Sequence, residues 1–188
     1  MESVEARESL EMVERIVAAS SRRLCLAGEF FLVWGVVSCG MDVVTQLIDF
    51  GVWPASAVWL WAALIGFGIA FTVVRRRALA LRAERVSLLL REFFSVLWVT
   101  IGIAVVCDVF GWRLFPGWGS AAIWNVVAAI VLFYVGTHSN WRATLAGAVA
   151  IGSFIVANYV TNGTGFVLAA GMLFSYGAFG LAEMLSRE

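Results

Sequence analysis

Apolar residues run along this chain in six long blocks, separated by short stretches that carry most of its charge, glycine and proline. A block of about 20 apolar residues crosses a hydrocarbon core of about 30 Å as a helix. Inside lipid the backbone must satisfy its own polar groups, which leaves helices as the spanning element here. The pattern predicts spans at about 24–48, 54–74, 92–110, 120–136, 143–160 and 166–185. The expected fold class is therefore all-α: an integral membrane protein of six transmembrane helices arranged as three sequential hairpins.

The first 23 residues follow a different rule. Leu10, Val13, Ile16 and Val17 recur on one helical face, while Glu2, Glu5, Glu8, Glu11 and Glu14 occupy the rest. Ser3 suits the N-cap, Glu5 and Glu8 suit the positive end of the macrodipole, and Glu11 and Arg15 form a favourable i, i+4 pair. Residues 1–23 thus read as an amphipathic helix ending at Arg22 and Arg23, and 24–188 as the transmembrane domain. A membrane-surface helix usually carries a basic polar face. This acidic one is expected to cover its own bundle or a protein partner.

The connections refine the picture. IDFGVWP, GWRLFPGWG and TNGTG are turns at one side, and THSNWR is a turn at the other. Pro54 falls at the first turn of span two, where its missing N–H costs nothing. Within that span Ala62, Gly66 and Ala70 recur every four residues, a small-residue face that suits close helix contact and a candidate surface for self-association. The 75–91 connection is longer than a turn requires, and Leu79, Val86 and Leu90 keep near-helical spacing. Span two is expected to continue as a helix beyond the membrane, with its Arg face docked on the acidic N-terminal helix as a small cap. EFFLVWG (29–35) and EFFSVLW (92–98) echo one another at the openings of spans one and three.

Composition agrees with a membrane protein. The hydrophobic fraction is 62% and the mean hydropathy +0.91, against about 45–50% apolar in an ordinary soluble domain. A net charge of zero offers nothing to nucleic acid. All 13 basic residues are Arg. Four precede span one, six lie in 75–91, and Arg142 and Arg187 fall on the same side, leaving Arg113 on the other. The positive-inside rule then places both termini in the cytoplasm of a cell whose plasma membrane the chain crosses. Trp53, Trp59, Trp61, Trp112, Trp118 and Trp124 gather towards the opposite boundary as an aromatic belt. Because the first twenty-odd residues are charged throughout, insertion is expected through span one itself, without a cleaved leader. Cys25, Cys39 and Cys107 have no metal spacing, and the latter two read as small hydrophobes.

With the spans placed, the chain resembles a family of small uncharacterised prokaryotic membrane proteins. The features that carry the resemblance are ESLEMVERIVAAS, FFLVWG, VWLWAALIGFG, VLWVTIGI and YVGTHSNWRATLAGAVAIG. The resemblance implies a six-helix fold and brings no activity, cofactor or site residue with it.

Ionisable groups inside a span are costly and so are functional candidates. Asp42 and Asp108 lie in the outer halves of spans one and three, Asn158 at comparable depth in span five, and Gln46 and Asn125 nearby. Asp42, Asn125 and Asp108 are the candidate lining of a polar pathway. The plainer reading has Asp42 bonded to neighbouring hydroxyls and Asp108 at the interface beside Arg113. Glu29, Glu92 and Glu183 sit near the inner boundary, where Arg22, Arg23, Arg91 or Arg187 can pair with them. His138 lies alone in a turn and cannot complete a haem or zinc site. Hydrolase, metalloprotease and nucleotide-binding motifs are absent, so no enzyme, metal or cofactor is expected. Two functions remain: a non-catalytic membrane protein acting through protein contacts, with a partner at residues 1–23, or an oligomeric channel or carrier for a small solute or proton.

Overall fold

The computed structural model describes residues 12, 28–80, 88–111, 117–138 and 140–186. All regular structure among them is helical: α1 (Gly28–Asp49), a short 3-10 turn (Ala55–Val58), α2 (Trp59–Ala80), α3 (Leu88–Gly111), α4 (Gly119–His138), α5 (Trp141–Ala157), α6 (Thr164–Met172) and α7 (Ala178–Leu185). A π-turn, Leu173–Gly177, joins α6 to α7 without a break, so the two form one terminal helix. Four helices are long and apolar enough to cross a membrane: Gly28–Asp49, Ala55–Arg75, Gly119–His138 and Thr164–Leu185. Ser95–Cys107 and Trp141–Ala157 are apolar but shorter. The expected N-terminal helix, and with it the docking of the 75–91 connection upon it, lies outside the described residues. Helix α2 does run on to Ala80, past the last apolar residue of its block.

Helices α1, α4, α5 and the terminal helix form the centre, with α2 packed on α1 and α3 on α4. One end of this bundle holds Glu29, Arg75, Asn140 and Glu183, and will be called the charged end. The other holds Gln46, Trp118 and Gly165, and will be called the aromatic end. Phe31, Val131, Leu132, Val135, Met172, Tyr176 and Phe179 fill the core on the charged side of the middle. Phe31 stands edge-on to both Tyr176 (5.1 Å) and Phe179 (5.2 Å), a preferred arrangement of aromatic quadrupoles.

Small residues set how closely the helices approach. A Cβ added at Gly35 would stand 2.5 Å from the Gly177 nitrogen, and one at Gly180 would overlap the Leu32 nitrogen. The α1–terminal seam is thus backbone on backbone. The α4–α5 hairpin is equally tight, since a Cβ at Gly136 would meet the Thr144 nitrogen at 2.7 Å. By contrast, nothing lies within 4 Å of a Cβ at Gly66. The small-residue face of Ala62, Gly66 and Ala70 is exposed, and no described helix packs on it.

The α1–α2 hairpin is held by directional contacts. Arg75 grips Glu29 with two nitrogens, Nε to Oε2 at 2.5 Å and Nη2 to Oε1 at 2.7 Å. Phe30 meets Phe71 edge-on at 5.9 Å. The Trp34 ring lies over Gly68, and its Nε1 donates to Thr72 Oγ1 at 3.1 Å. Glu29 therefore pairs with an Arg of the next helix; Arg22, Arg23, Arg187 and the side chain of Arg91 lie outside the described residues. The cause is register: antiparallel hairpin packing brings the first turn of α1 beside the end of α2, which the local sequence does not reveal.

Candidate functional site

Buried polar side chains concentrate in the central helices, and most are committed to one another. Gln46 is 3% exposed, and its Oε1 accepts from the Gly165 backbone N–H at 2.7 Å. That N–H belongs to the first turn of α6, where helical donors lack intrahelical partners. Gln46 thus caps a helix 119 residues away in sequence. Gly163, at φ 84°, turns the chain into this helix in a left-handed conformation that suits glycine. Gly165 has no room for a side chain, since a Cβ there would press into the Trp118 ring, 2.7 Å from Cζ3.

Six residues further along the terminal helix, about 9 Å, Gly171 lies against Asn125 and Ser153. Asn125 is fully buried. Its Oδ1 accepts from Ser153 Oγ at 3.0 Å, and its Nδ2 donates to Ala121 O at 3.4 Å. The Ser153 hydroxyl also lies 2.8 Å from Ala150 O. Asn125 is therefore a packing element joining α4, α5 and the terminal helix. Ser153 carried no sequence signal of its own beyond being a polar residue in an alanine-rich block.

Asp42 is different. It is 8% exposed, and among the described residues none hydrogen-bonds to its carboxyl. Of the neighbouring hydroxyls, Thr45 Oγ1 donates instead to Met41 O at 2.8 Å. A helical threonine reaches its own preceding turn at little cost, which removes it from the neighbour's service. Asp42 follows Gly35 by seven residues and precedes Gln46 by four, so it shares the face that both turn to the terminal helix. It lies about 6 Å from the Gln46 level, in the same direction as Asn125 lies from the Trp118 level. Asn125 lies seven residues, about 10 Å, from Trp118, so Asp42 sits somewhat nearer the aromatic end, and no bond joins the two. Asp108 belongs to α3, and its side chain lies outside the described residues. Asn158 sits at the end of α5, bonding back to Phe154 O at 2.7 Å. A charged Asp at the middle of a membrane helix costs about 2.5–3.5 kcal/mol, so the lack of a partner marks Asp42 out.

At the charged end, Asn140 Oδ1 accepts from the Arg142 N–H at 3.0 Å as the N-cap of α5, while its Nδ2 donates to Glu183 Oε1. His138 is exposed, its Nδ1 2.8 Å from Tyr134 O. No group of three or more metal-binding side chains occurs among the described residues. An open groove of about 400 Å³ runs between α5 and the terminal helix, lined by Val149, Val156, Phe166, Val167, Ala170 and Phe174 with Ser153 and Gly171. Trp61 Nε1 is enclosed without a hydrogen-bond partner among the described residues.

Comparison with protein-family profiles, with curated proteins and with solved structures gave no match.

Proposed function

We propose that this is a six-span membrane protein with both termini cytoplasmic, acting through protein contacts and not by turnover. Its charged end, rich in Arg, would face the cytoplasm and its aromatic end the outside. The observation that carries the functional reading is the exposure of α2. Only 11% of its most apolar window is buried, and Ala62, Gly66 and Ala70 form an open small-residue face on it. Among the described residues it packs chiefly on α1, so most of its surface is free for a neighbour. The N-terminal segment 1–23 offers a second surface at the cytoplasmic side.

The test is photo-crosslinking in native membranes. A photo-reactive residue at Phe67, 57% exposed on α2, is expected to trap protein, and one at Val149 on α5 only lipid. Lipid adducts alone from both positions would sink the reading. A chain lacking residues 1–20 is expected to insert normally yet lose its partner.

A channel or carrier for a proton or small solute is supported by one observation, the unpartnered Asp42. The filled core between Phe31, Leu132, Met172 and Tyr176 weighs against an open path. In liposomes Asp42→Ala should alter flux if this second reading holds, and unchanged flux across a panel of small solutes would remove it.

A further inference from the structure

Among the described residues, the buried amides near the aromatic end are engaged, whereas the Asp42 carboxyl and the Trp61 indole N–H are not. Gln46 is held by the Gly165 N–H and Asn125 by Ser153. The described arginines closest in sequence, Arg75 and Arg77, sit at the far end of α2, and Arg142 opens α5 at the same charged end. Among the described residues no cation is therefore placed to neutralise Asp42; Arg113 lies outside them. On α1 the titratable neighbours are Cys39, one turn before, and Asp49, two turns after. The terminal helix turns Tyr176 towards Gly35, one heptad away. Helices α4 and α5 add only the neutral Asn125 and Ser153 near this depth, and α3 carries Cys107 and Asp108, the side chain of Asp108 lying outside the described residues.

An unpaired carboxylate taken out of water is neutralised by binding an ion. Two features select the proton. A metal cation needs several ligands, and no group of three or more metal-binding side chains gathers at Asp42 among the described residues. A proton needs no shell: one carboxylate oxygen takes it, an O–H bond forms, and the charge is lost. The shorter route is from the aromatic end. Asp42 lies seven residues, about 10 Å, from the end of α1 at Asp49, and retains a small exposed surface. Towards the charged end the packed core closes the way.

We propose that Asp42 is a binding site for a single proton taken up from the aromatic end, and that it senses that side without passing the proton through. The charge it gains or loses lies on the close-packed seam between α1 and the terminal helix, seven residues from the Gly35–Gly177 contact. The assignment of that end to the outside rests on the membrane topology proposed above; the binding site itself does not.

The experiment uses the full chain in liposomes of phosphatidylcholine and phosphatidylglycerol, treated with N,N′-dicyclohexylcarbodiimide. This reagent modifies protonated carboxyls in apolar surroundings. The expected result is one adduct, mapped by peptide mass to Asp42, abolished by raising the pH on the Thr161 side and unchanged by sodium. Absence of the adduct at acid pH overturns the site, and protection by sodium overturns the proton as its ligand. An adduct that follows the pH of the opposite compartment overturns the one-sided access. Asp42→Asn should lose the adduct and keep the melting temperature of the unmodified protein at acid pH. Because the mapping is done on the unmodified chain, a variant that fails to insert does not blunt the test. Thr161→Cys, labelled by an impermeant maleimide in whole cells, reports the topology separately. Labelling from the cytoplasm alone would overturn the orientation while leaving the Asp42 result standing.

Discussion

Asn140 holds Glu183 across the charged end of the bundle, tying the N-cap of α5 to the last turns of the terminal helix. One amide does both jobs, its oxygen closing α5 and its nitrogen binding a carboxylate that is only 3% exposed.

Replacing Asn140 therefore has two separable costs. Asn140→Ala loses the cap, about 1 kcal/mol, and leaves Glu183 buried without its donor, about 1–3 kcal/mol more. Asn140→Asp keeps the cap but sets two carboxylates together. Thermal unfolding in detergent should rank the two variants alike or place Asp lower, and Glu183→Gln should rescue the Asp variant by restoring a donor. A double-mutant cycle with no coupling between the positions would refute the link.

Trp34 makes the α1–α2 hairpin specific in a way hydrophobicity alone does not. Its indole N–H reaches Thr72 while its ring covers Gly68. Trp34→Phe should keep most of the packing and lose about 1 kcal/mol. A residue with a side chain at position 68 should cost more, because the ring must move. Arg75→Lys should weaken the hairpin by less than about 1 kcal/mol, since the fork on Glu29 is partly exposed. That loss should shrink in high salt. Tryptophan fluorescence during denaturation reads all three.

The helical blocks were legible because hydropathy is a property of the local chain, and α1, α2, α4 and the terminal helix fall where the apolar runs do. Partners were not, because register between helices is decided by contacts far apart in sequence. Glu29 found Arg75, and Gln46 found a backbone N–H of α6. The periodicity of Ala62, Gly66 and Ala70 suggested close helix contact, yet within the chain that contact belongs to Gly35, Gly177 and Gly180. A four-residue repeat reports which face is smooth and says nothing of which helix uses it. The π-turn left no sequence mark, and the Thr45 hydroxyl beside Asp42 bonds its own helix.

Gln46 and Gly165 test whether the aromatic end depends on one long-range cap. Gln46→Leu fills a similar volume but leaves the Gly165 N–H without an acceptor in a buried place, a loss of about 1–3 kcal/mol. Hydrogen exchange at the first turn of α6 should rise in that variant while exchange in α4 stays slow. Uniform acceleration across the bundle would instead mean that Gln46 supports the whole fold.

Glycine substitutions separate the seam inside the chain from the face left open. Gly180→Ala drives a methyl into the Leu32 nitrogen, where both neighbours are helical backbone and neither can yield alone. Overpacking of this kind costs about 1–3 kcal/mol. Gly66→Ala meets nothing within 4 Å, and within the chain it should be neutral or stabilising by up to about 1 kcal/mol, since alanine is the better helix former. If α2 docks on a neighbour in the membrane, that same methyl stands in the contact. Gly66→Ala should then leave the melting temperature unchanged or raised while reducing crosslinking from Phe67. Equal destabilisation by the two substitutions would show that α2 packs inside the chain, and the open face would lose its claim to a partner.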